Sequence, residues 1–370
     1  SAEAAAPGAD TEAAATPAAG TPTERTLPLE FRATGREYFR IWIVNLLLSI
    51  LTLGIYSAWA KVRRLRYFYG STSLDGSAFD YHGRPLAILK GRLIAFTAYA
   101  AVWLASQLYV VVGLLILPLL ALGVPWVVYR SRRFQLRMTS YRGLRFAFHG
   151  SLRGAAAAYV GWAIAAVASL YALLPWWLWK RVRYLLDNVS YGSERVRFTA
   201  RPGRYYEFCV ATLGLAFYLL ILTALLIGAV SAMATLGRGR GALASALPAG
   251  SIGNLVMLLV GATATLAATA YYRRSLLNAS FGCLEIGPHS VRTDFHFLPL
   301  LRLYATNLVL IALTLGLYYP WARVNLLRYQ VENTSVIVRG DLDHVVALDA
   351  AGGDAVGEEI GDFFDVDFGL

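Results

Sequence analysis

Long apolar runs alternate with short segments in which apolar and polar residues change places at every second position. Runs of about 20 apolar residues are long enough to cross a lipid core about 30 Å thick. Membrane elements are predicted at residues 38–60, 93–110, 113–129, 154–179, 206–232, 255–272 and 300–322. The stretch from Leu93 to Tyr129 exceeds one span at about 1.5 Å per residue, so it divides near Gln107–Gly113. Between the runs lie alternating pieces: Leu29–Gly35, Thr72–Gly83 with Asp75-Gly76 as a turn, Thr139–Gly150, Val196–Gly203, Val291–Phe297 and Asn333–Arg339. Such pieces read as short strands and hairpins. About ten of them are expected to gather into a sheet under a helical bundle. The fold class expected from this pattern is an all-α polytopic membrane bundle built from five internal repeats, with short cytoplasmic β-strand segments between the membrane elements.

The repeat is read from residues at constant offset. Asn45, Thr52-Leu53-Gly54, Tyr56, Trp59-Ala60, Val62 and Arg66-Tyr67 recur as Asn307, Thr314-Leu315-Gly316, Tyr318, Trp321-Ala322, Val324 and Arg328-Tyr329. Thr72-Ser73, Gly76 and His82-Gly83 recur as Thr139-Ser140, Gly143 and His149-Gly150, and Pro175-Trp176 falls in register with Pro320-Trp321. Spacing of this kind usually means one structural unit copied. The first, third and fifth units hold a single apolar run with basic residues on both sides: Arg36, Arg40 and Lys61; Arg153 and Lys180; Arg302 and Arg323. Basic flanks favour the cytoplasm. These three elements are therefore expected to be broken and re-entrant, with breaks at Gly54, near Leu174-Pro175 and at Gly316; the alternative is a set of simple spans.

Composition supports the membrane class. Apolar residues make up 57% of the chain and charged ones 15%, against about 45–50% and about 25% in soluble domains. The net charge is +11, yet Asp341–Leu370 contains nine acids and no Lys or Arg, so positive charge concentrates beside the apolar runs. That placement points to anionic membrane lipid on the cytoplasmic side rather than to nucleic acid. Residues 1–28 are rich in Ala, Pro, Thr and Gly and are expected to be a disordered tail. Residues 29–348 form the membrane domain and 349–370 an acidic C-terminal tail.

Candidate chemistry is sparse. There is no phosphate-binding glycine loop with Lys-Ser/Thr and no paired metal ligands on a helix, so neither a cofactor nor a catalysed reaction is expected. Cys209 and Cys283 stand alone. Asn45, Thr52, Asn307 and Thr314 are the polar groups inside two apolar elements. Arg66, Arg133, Arg183 and Arg328 share one register, and His82 and His149 occupy equivalent places before Gly83 and Gly150. These are the candidate lipid or solute contacts, against helix–helix hydrogen bonding and pairing with strand acids as the simpler roles. Trp59, Trp126, Trp176 and Trp321 read as an interfacial belt.

The stretch Asn45–Tyr67, with Thr-Leu-Gly-Ile-Tyr-Ser-Ala-Trp-Ala-Lys-Val-Arg, followed by Tyr67-Phe-Tyr-Gly70 and Phe79-Asp-Tyr-His-Gly83, resembles the YjgN family. Thr139–Phe146 and Tyr318–Ala322 share the likeness, which runs from about Phe31 to Val346. The resemblance implies a multi-pass bacterial inner-membrane protein and supplies neither a substrate nor functional residues. Transport or permeation of a lipid or small solute is the first expectation, motivated by the interrupted apolar elements. A non-catalytic scaffold that binds anionic lipid or a partner is the alternative.

Overall fold

The computed structural model describes residues 24–108, 110–237 and 249–339. Strand β1 (Glu24–Phe31) leads into α1 (Gly35–Leu51) and α2 (Ser57–Gly70), which return to β2 (Thr72–Leu74). Next, β3 (Ser77–Tyr81), α3 (Pro85–Leu108) and α4 (Val110–Arg137) return to β4 (Thr139–Tyr141). From β5 (Leu144–Phe148) the chain passes through α5 (Leu152–Ala156), a π turn over Ala157–Gly161, α6 (Trp162–Ala168) and α7 (Leu174–Leu186) to β6 (Val189–Tyr191). Strand β7 (Glu194–Phe198) leads to α8 (Pro202–Gly237) and α9 (Ala249–Phe281), and then β8 (Leu284–Ile286). The last described segment is β9 (His289–Thr293), α10 (Phe297–Leu313), α11 (Tyr319–Glu332) and β10 (Thr334–Arg339).

The ten strands close into one antiparallel barrel, ordered β1-β10-β9-β8-β7-β6-β5-β4-β3-β2, with β1 paired to both β10 and β2. Closure removes the open edges that such short strands would otherwise present. Alternation sends Leu27, Leu29, Leu74, Phe79, Tyr141, Leu144, Phe146, Tyr191 and Val336 into a common apolar cluster. The Tyr141 hydroxyl donates to the Leu74 carbonyl at 2.8 Å, and the Tyr191 hydroxyl to the Tyr141 carbonyl at 3.1 Å. Both phenols thereby satisfy their polar tips in a filled interior.

The all-α polytopic bundle expected from the sequence is therefore wrong: the protein is a mixed helix and strand structure organised by a closed barrel. Each strand carries only a few alternating positions, so the sequence shows local hairpins. Closure comes from pairs between distant segments, such as Tyr81 with Thr139 and Phe148 with Val189, and no local pattern encodes those. Apolar length misled in the same way. Among the described residues one helix, Pro202–Ala229, is long and apolar enough to cross a membrane. The runs at 38–60, 154–179 and 300–322 are each broken rather than continuous. Strand β1 also begins earlier than expected, and residues 24–28, assigned to the tail, pair with Ser335–Arg339. Residues 1–23, the Gly-rich segment 238–248 and the acidic tail 349–370 lie outside the described residues.

The three broken elements share one turn. Thr52 Oγ1 donates to the Leu48 carbonyl at 2.7 Å and accepts the Tyr56 N–H at 2.9 Å. Thr314 repeats this with Leu310 and Tyr318 at 2.6 and 3.0 Å, and Ser169 with Ala166 and Leu173 at 2.9 and 3.0 Å. Leu53-Gly54, Leu315-Gly316 and Leu170-Tyr171 take positive φ, so the third break falls ahead of Leu174-Pro175. A leucine in this region costs roughly 1–2 kcal/mol. Leu53, Leu170 and Leu315 are nevertheless 95%, 90% and 94% exposed at the turn tips.

Two expectations follow from packing. A Cβ on Gly35 would lie 2.2 Å from Trp321 Cδ1, so α1 and α11 approach closely only because this residue is glycine. Gly35→Ala should cost about 1–3 kcal/mol, read as a lower unfolding temperature in detergent. Separately, buried His289 accepts the Arg339 N–H on Nδ1 at 3.2 Å. Burial lowers its pKa from 6.5, opposed by the charge of Glu194. The unfolded chain then takes up the proton first, so stability is complete above the unfolded value and is lost as pH falls through the lowered one. His289→Asn should flatten that acid-side slope in thermal melts.

Candidate functional site

The strongest constellation lies between the α1–α2 hairpin, α3 and the start of α11. On α1, Trp42, Asn45 and Ser49 share one helix face by their spacing and line a cavity of about 320 Å³. From α2 come Ser57, Lys61 and Arg64, from α3 Arg92, and from α11 Tyr319. Arg92 donates to Ser57 Oγ at 2.6 Å, which ties α3 to the start of α2. Asn45 and Lys61 are 7% and 6% exposed. Among the described lining residues there is no carboxylate. The Asn45 amide oxygen is buried and lacks a hydrogen-bond donor. Burying a polar acceptor without a partner costs about 1–3 kcal/mol, so the Asn45 oxygen is the unmet group of this cavity.

The ten predicted residues do not converge. Of them, only Asn45 lines this cavity. Thr52 and Thr314 are consumed by the turns described above. Arg66 Nε donates to the Tyr81 carbonyl at 3.2 Å, and an Arg328 guanidinium N–H to the Ala33 carbonyl at 2.8 Å, so both fasten helix to barrel. Arg133 donates to the Tyr129 hydroxyl at 3.1 Å, and Arg183 pairs with Asp187 at 3.3 Å. His82 and His149 each place Nε2 2.8 Å from a strand hydroxyl, Ser140 and Ser190 respectively. Asn307 is buried and donates to the Ala322 carbonyl at 3.4 Å, across the α10–α11 turn. Of the tryptophans read as a belt, Trp176 lies with Trp162 and Trp179 around the Lys180 ammonium at 5.1–5.5 Å.

Lys61 and Arg64 escape a reading of the sequence because a run of basic residues after an apolar element looks like a membrane flank, and Arg92 looks like the flank that opens the next apolar run. Helical spacing holds the signal. Ala58, Lys61, Val62, Leu65 and Phe68 follow the i, i+3, i+4 pattern of one packed face, which places a lysine where an apolar side chain is expected.

Two larger cavities lie elsewhere among the described residues. An apolar groove of about 950 Å³ lies between α9 and the α10–α11 pair, walled by Leu258, Leu266, Leu308 and Ile311, with Asn307 and Arg323 as polar members. Tyr319 lines both this groove and the cationic cavity. A cleft of about 840 Å³ beside β8 and β9 carries Arg204, Glu207, Arg274, Glu285 and Arg292. Its mixed signs select no particular charge. Among the described residues no three His, Cys, Asp or Glu side chains gather as a metal site.

A family described as a bacterial protein of unknown function (DUF898) matches residues 26–363. Proteins named "Inner membrane protein YjgN" from Salmonella typhimurium LT2 and Escherichia coli K12 are each 34% identical, over 128 and 125 residues. Those alignments cover 34% of this chain and 32% and 31% of the relatives. The aligned part thus spans about a third of each curated relative. No solved structure matches the chain.

Proposed function

The chain belongs to the DUF898 family of bacterial proteins, and on that footing we propose that it is an inner-membrane protein that binds anionic phospholipid in the cytoplasmic leaflet without catalysing a reaction. The leucines exposed at the three hairpin tips, with basic side chains such as Lys61, Arg64 and Arg92 on the helices behind one of them, carry this reading. Helix length supports it. The apolar part of α1, Ile41–Leu51, is about 16 Å long at 1.5 Å per residue, near half of a lipid core about 30 Å thick. The exposed leucines at the three tips then sit in hydrocarbon rather than water. Helix α8 crosses the bilayer, α9 brings the chain back, and the barrel remains in the cytoplasm. The cavity runs along the hairpin from Tyr38, near the barrel, to Ser49 and Ser57, one turn from the tip.

Five copies of one unit account for the barrel. At each helix entry the same backbone bond recurs: Arg32 to Ser71, His82 to Met138, His149 to Asn188, Thr199 to Cys283 and Asp294 to Asn333, at 2.8–3.0 Å. Transport or permeation of a lipid or small solute is the second reading, favoured by the apolar groove between α9 and α10; the filled barrel interior opposes a path along the barrel axis. Native mass spectrometry of protein released from mixed vesicles tests the first reading. Enrichment of anionic over zwitterionic phospholipid is expected, and retention in proportion to the vesicle composition contradicts it.

A further inference from the structure

The cleft beside β8 and β9 is built from three rows of side chains. Alternation along the sheet puts Glu285, Ser290 and Arg292 on one face, with Glu285 opposite Ser290 across the ladder. Helical spacing aligns Arg204, Glu207 and Ala211 on α8, and Tyr271, Arg274 and Asn278 on α9. Three arginines and two glutamates thus line one space, and among the described residues none of the five forms an ion pair. Arg204 donates to Cys283 Sγ at 2.9 Å, and the Arg274 Nε–H to the Phe295 carbonyl at 3.0 Å. A guanidinium has five N–H donors, so each keeps further donors for a ligand. The Thr293 hydroxyl, which also lines the cleft, is buried and has no hydrogen-bond partner. The balance of charge selects neither an anion nor a cation. Unpaired groups of both signs select a ligand that carries both.

The cleft also leads toward lipid. Ala211 and Tyr271 lie roughly 14–15 Å along α8 and α9 from their barrel ends, at about 1.5 Å per residue. Phe208 and Ala211 give that end an apolar wall. Resting on the membrane placement above, in which α8 enters the bilayer from the barrel, we infer that the cleft binds the head of a phospholipid with a primary ammonium beside its phosphate, the chemistry of phosphatidylethanolamine. The phosphate sits with Arg274 and Arg292. The ammonium donates to the carboxylates of Glu207 and Glu285, and the glycerol end points along α8 to acyl chains in the bilayer. Phosphatidylcholine has the same charges, but its nitrogen carries three methyl groups and no N–H. Phosphatidylglycerol offers the phosphate and no cation for the carboxylates. The volume of the cleft, about 840 Å³, lies within the range of small-ligand sites.

The test uses the full chain in vesicles of dioleoyl phosphatidylethanolamine, dioleoyl phosphatidylcholine and dioleoyl phosphatidylglycerol in equal parts, with retained lipid weighed by native mass spectrometry. Phosphatidylethanolamine should be retained about tenfold over phosphatidylcholine, the value of one charge-assisted hydrogen bond that the methylated head cannot make. Glu207→Gln combined with Glu285→Gln should erase that preference without lowering phosphatidylglycerol retention. A preference that persists in this variant overturns the assignment. If the double variant does not fold, Glu207→Gln alone, at an exposed position, should lower the preference severalfold, and an unchanged ratio overturns it. Equal retention of the ethanolamine and choline lipids by the unaltered chain overturns the head assignment, and phosphatidylglycerol ahead of both then leaves anionic-lipid binding standing. Equal retention of all three overturns both. Displacement of phosphatidylethanolamine by soluble glycerophosphoethanolamine at matched concentration overturns the lipid source, because the head alone then accounts for the affinity.

Discussion

Replacing Lys61, Arg64 and Arg92 together by glutamine should lower retention of anionic phospholipid at least tenfold, with phosphatidylcholine retention unchanged. All three side chains line one cavity, and Lys61 is 6% exposed. A hydrogen bond to a charged group contributes about 1.5–3 kcal/mol, so losing two such bonds to a phosphate exceeds the 1.4 kcal/mol that makes a factor of ten. Position separates this effect from general surface attraction. Exposed basic residues act through a screened field that salt weakens, with a Debye length near 8 Å at physiological ionic strength. Buried cations are screened far less. Retention by the unaltered protein should therefore survive added salt that releases loosely held lipid. Arg145 and Arg195, exposed on β5 and β7, provide the control. Their substitution by glutamine should change salt-sensitive association and leave tightly held lipid in place. A triple variant that keeps its lipid, or a control pair that loses it, contradicts the assignment.

Aspartate at Leu53, Leu170 and Leu315 should detach the three hairpins from the membrane and lower stability in lipid nanodiscs, with little change in unfolding once lipid is removed. The sign distinguishes the environments. In water, a leucine 95% exposed makes almost no contact to lose. Aspartate also tolerates positive φ better than leucine, so each change is neutral or favourable there. In hydrocarbon, an acidic side chain at the centre of a helix costs about 2.5–3.5 kcal/mol on insertion scales. Three tips at half depth then carry a penalty that reaches several kcal/mol. Thermal unfolding in nanodiscs against short-chain detergent reads the difference directly. Equal melting temperatures in nanodiscs for the original and the triple variant would place the tips in water.

Much of the local structure was legible. Asp75-Gly76 makes a turn between β2 and β3, and Gly54 and Gly316 take positive φ inside apolar runs. Such residues announce themselves through backbone permissiveness. The barrel did not, because its order is set by pairing between segments separated by whole helical hairpins. The arginines illustrate the same limit. Arg66 and Arg328 recur in register because each fastens a helix to a carbonyl at the barrel rim, a structural task that leaves the same trace in sequence as a binding task. Asn45 and Asn307 recur as well, yet only Asn45 lines the cavity with Lys61, Arg64 and Arg92. The difference depends on which neighbour packs beside each, α3 with Arg92 in one case and α9 with Leu266 in the other.

The central claim is that the hairpins enter the cytoplasmic leaflet and turn back. Its most direct measurement uses Leu53→Cys in a chain that also carries Cys209→Ala and Cys283→Ala, together with lipids brominated at known acyl depths. A fluorophore on the single introduced thiol should be quenched most by bromines near the bilayer centre, and an impermeant thiol reagent should fail to reach it from either side. Labelling from the periplasm would show that the element crosses the membrane, and labelling from the cytoplasm that it never enters; either result contradicts the account.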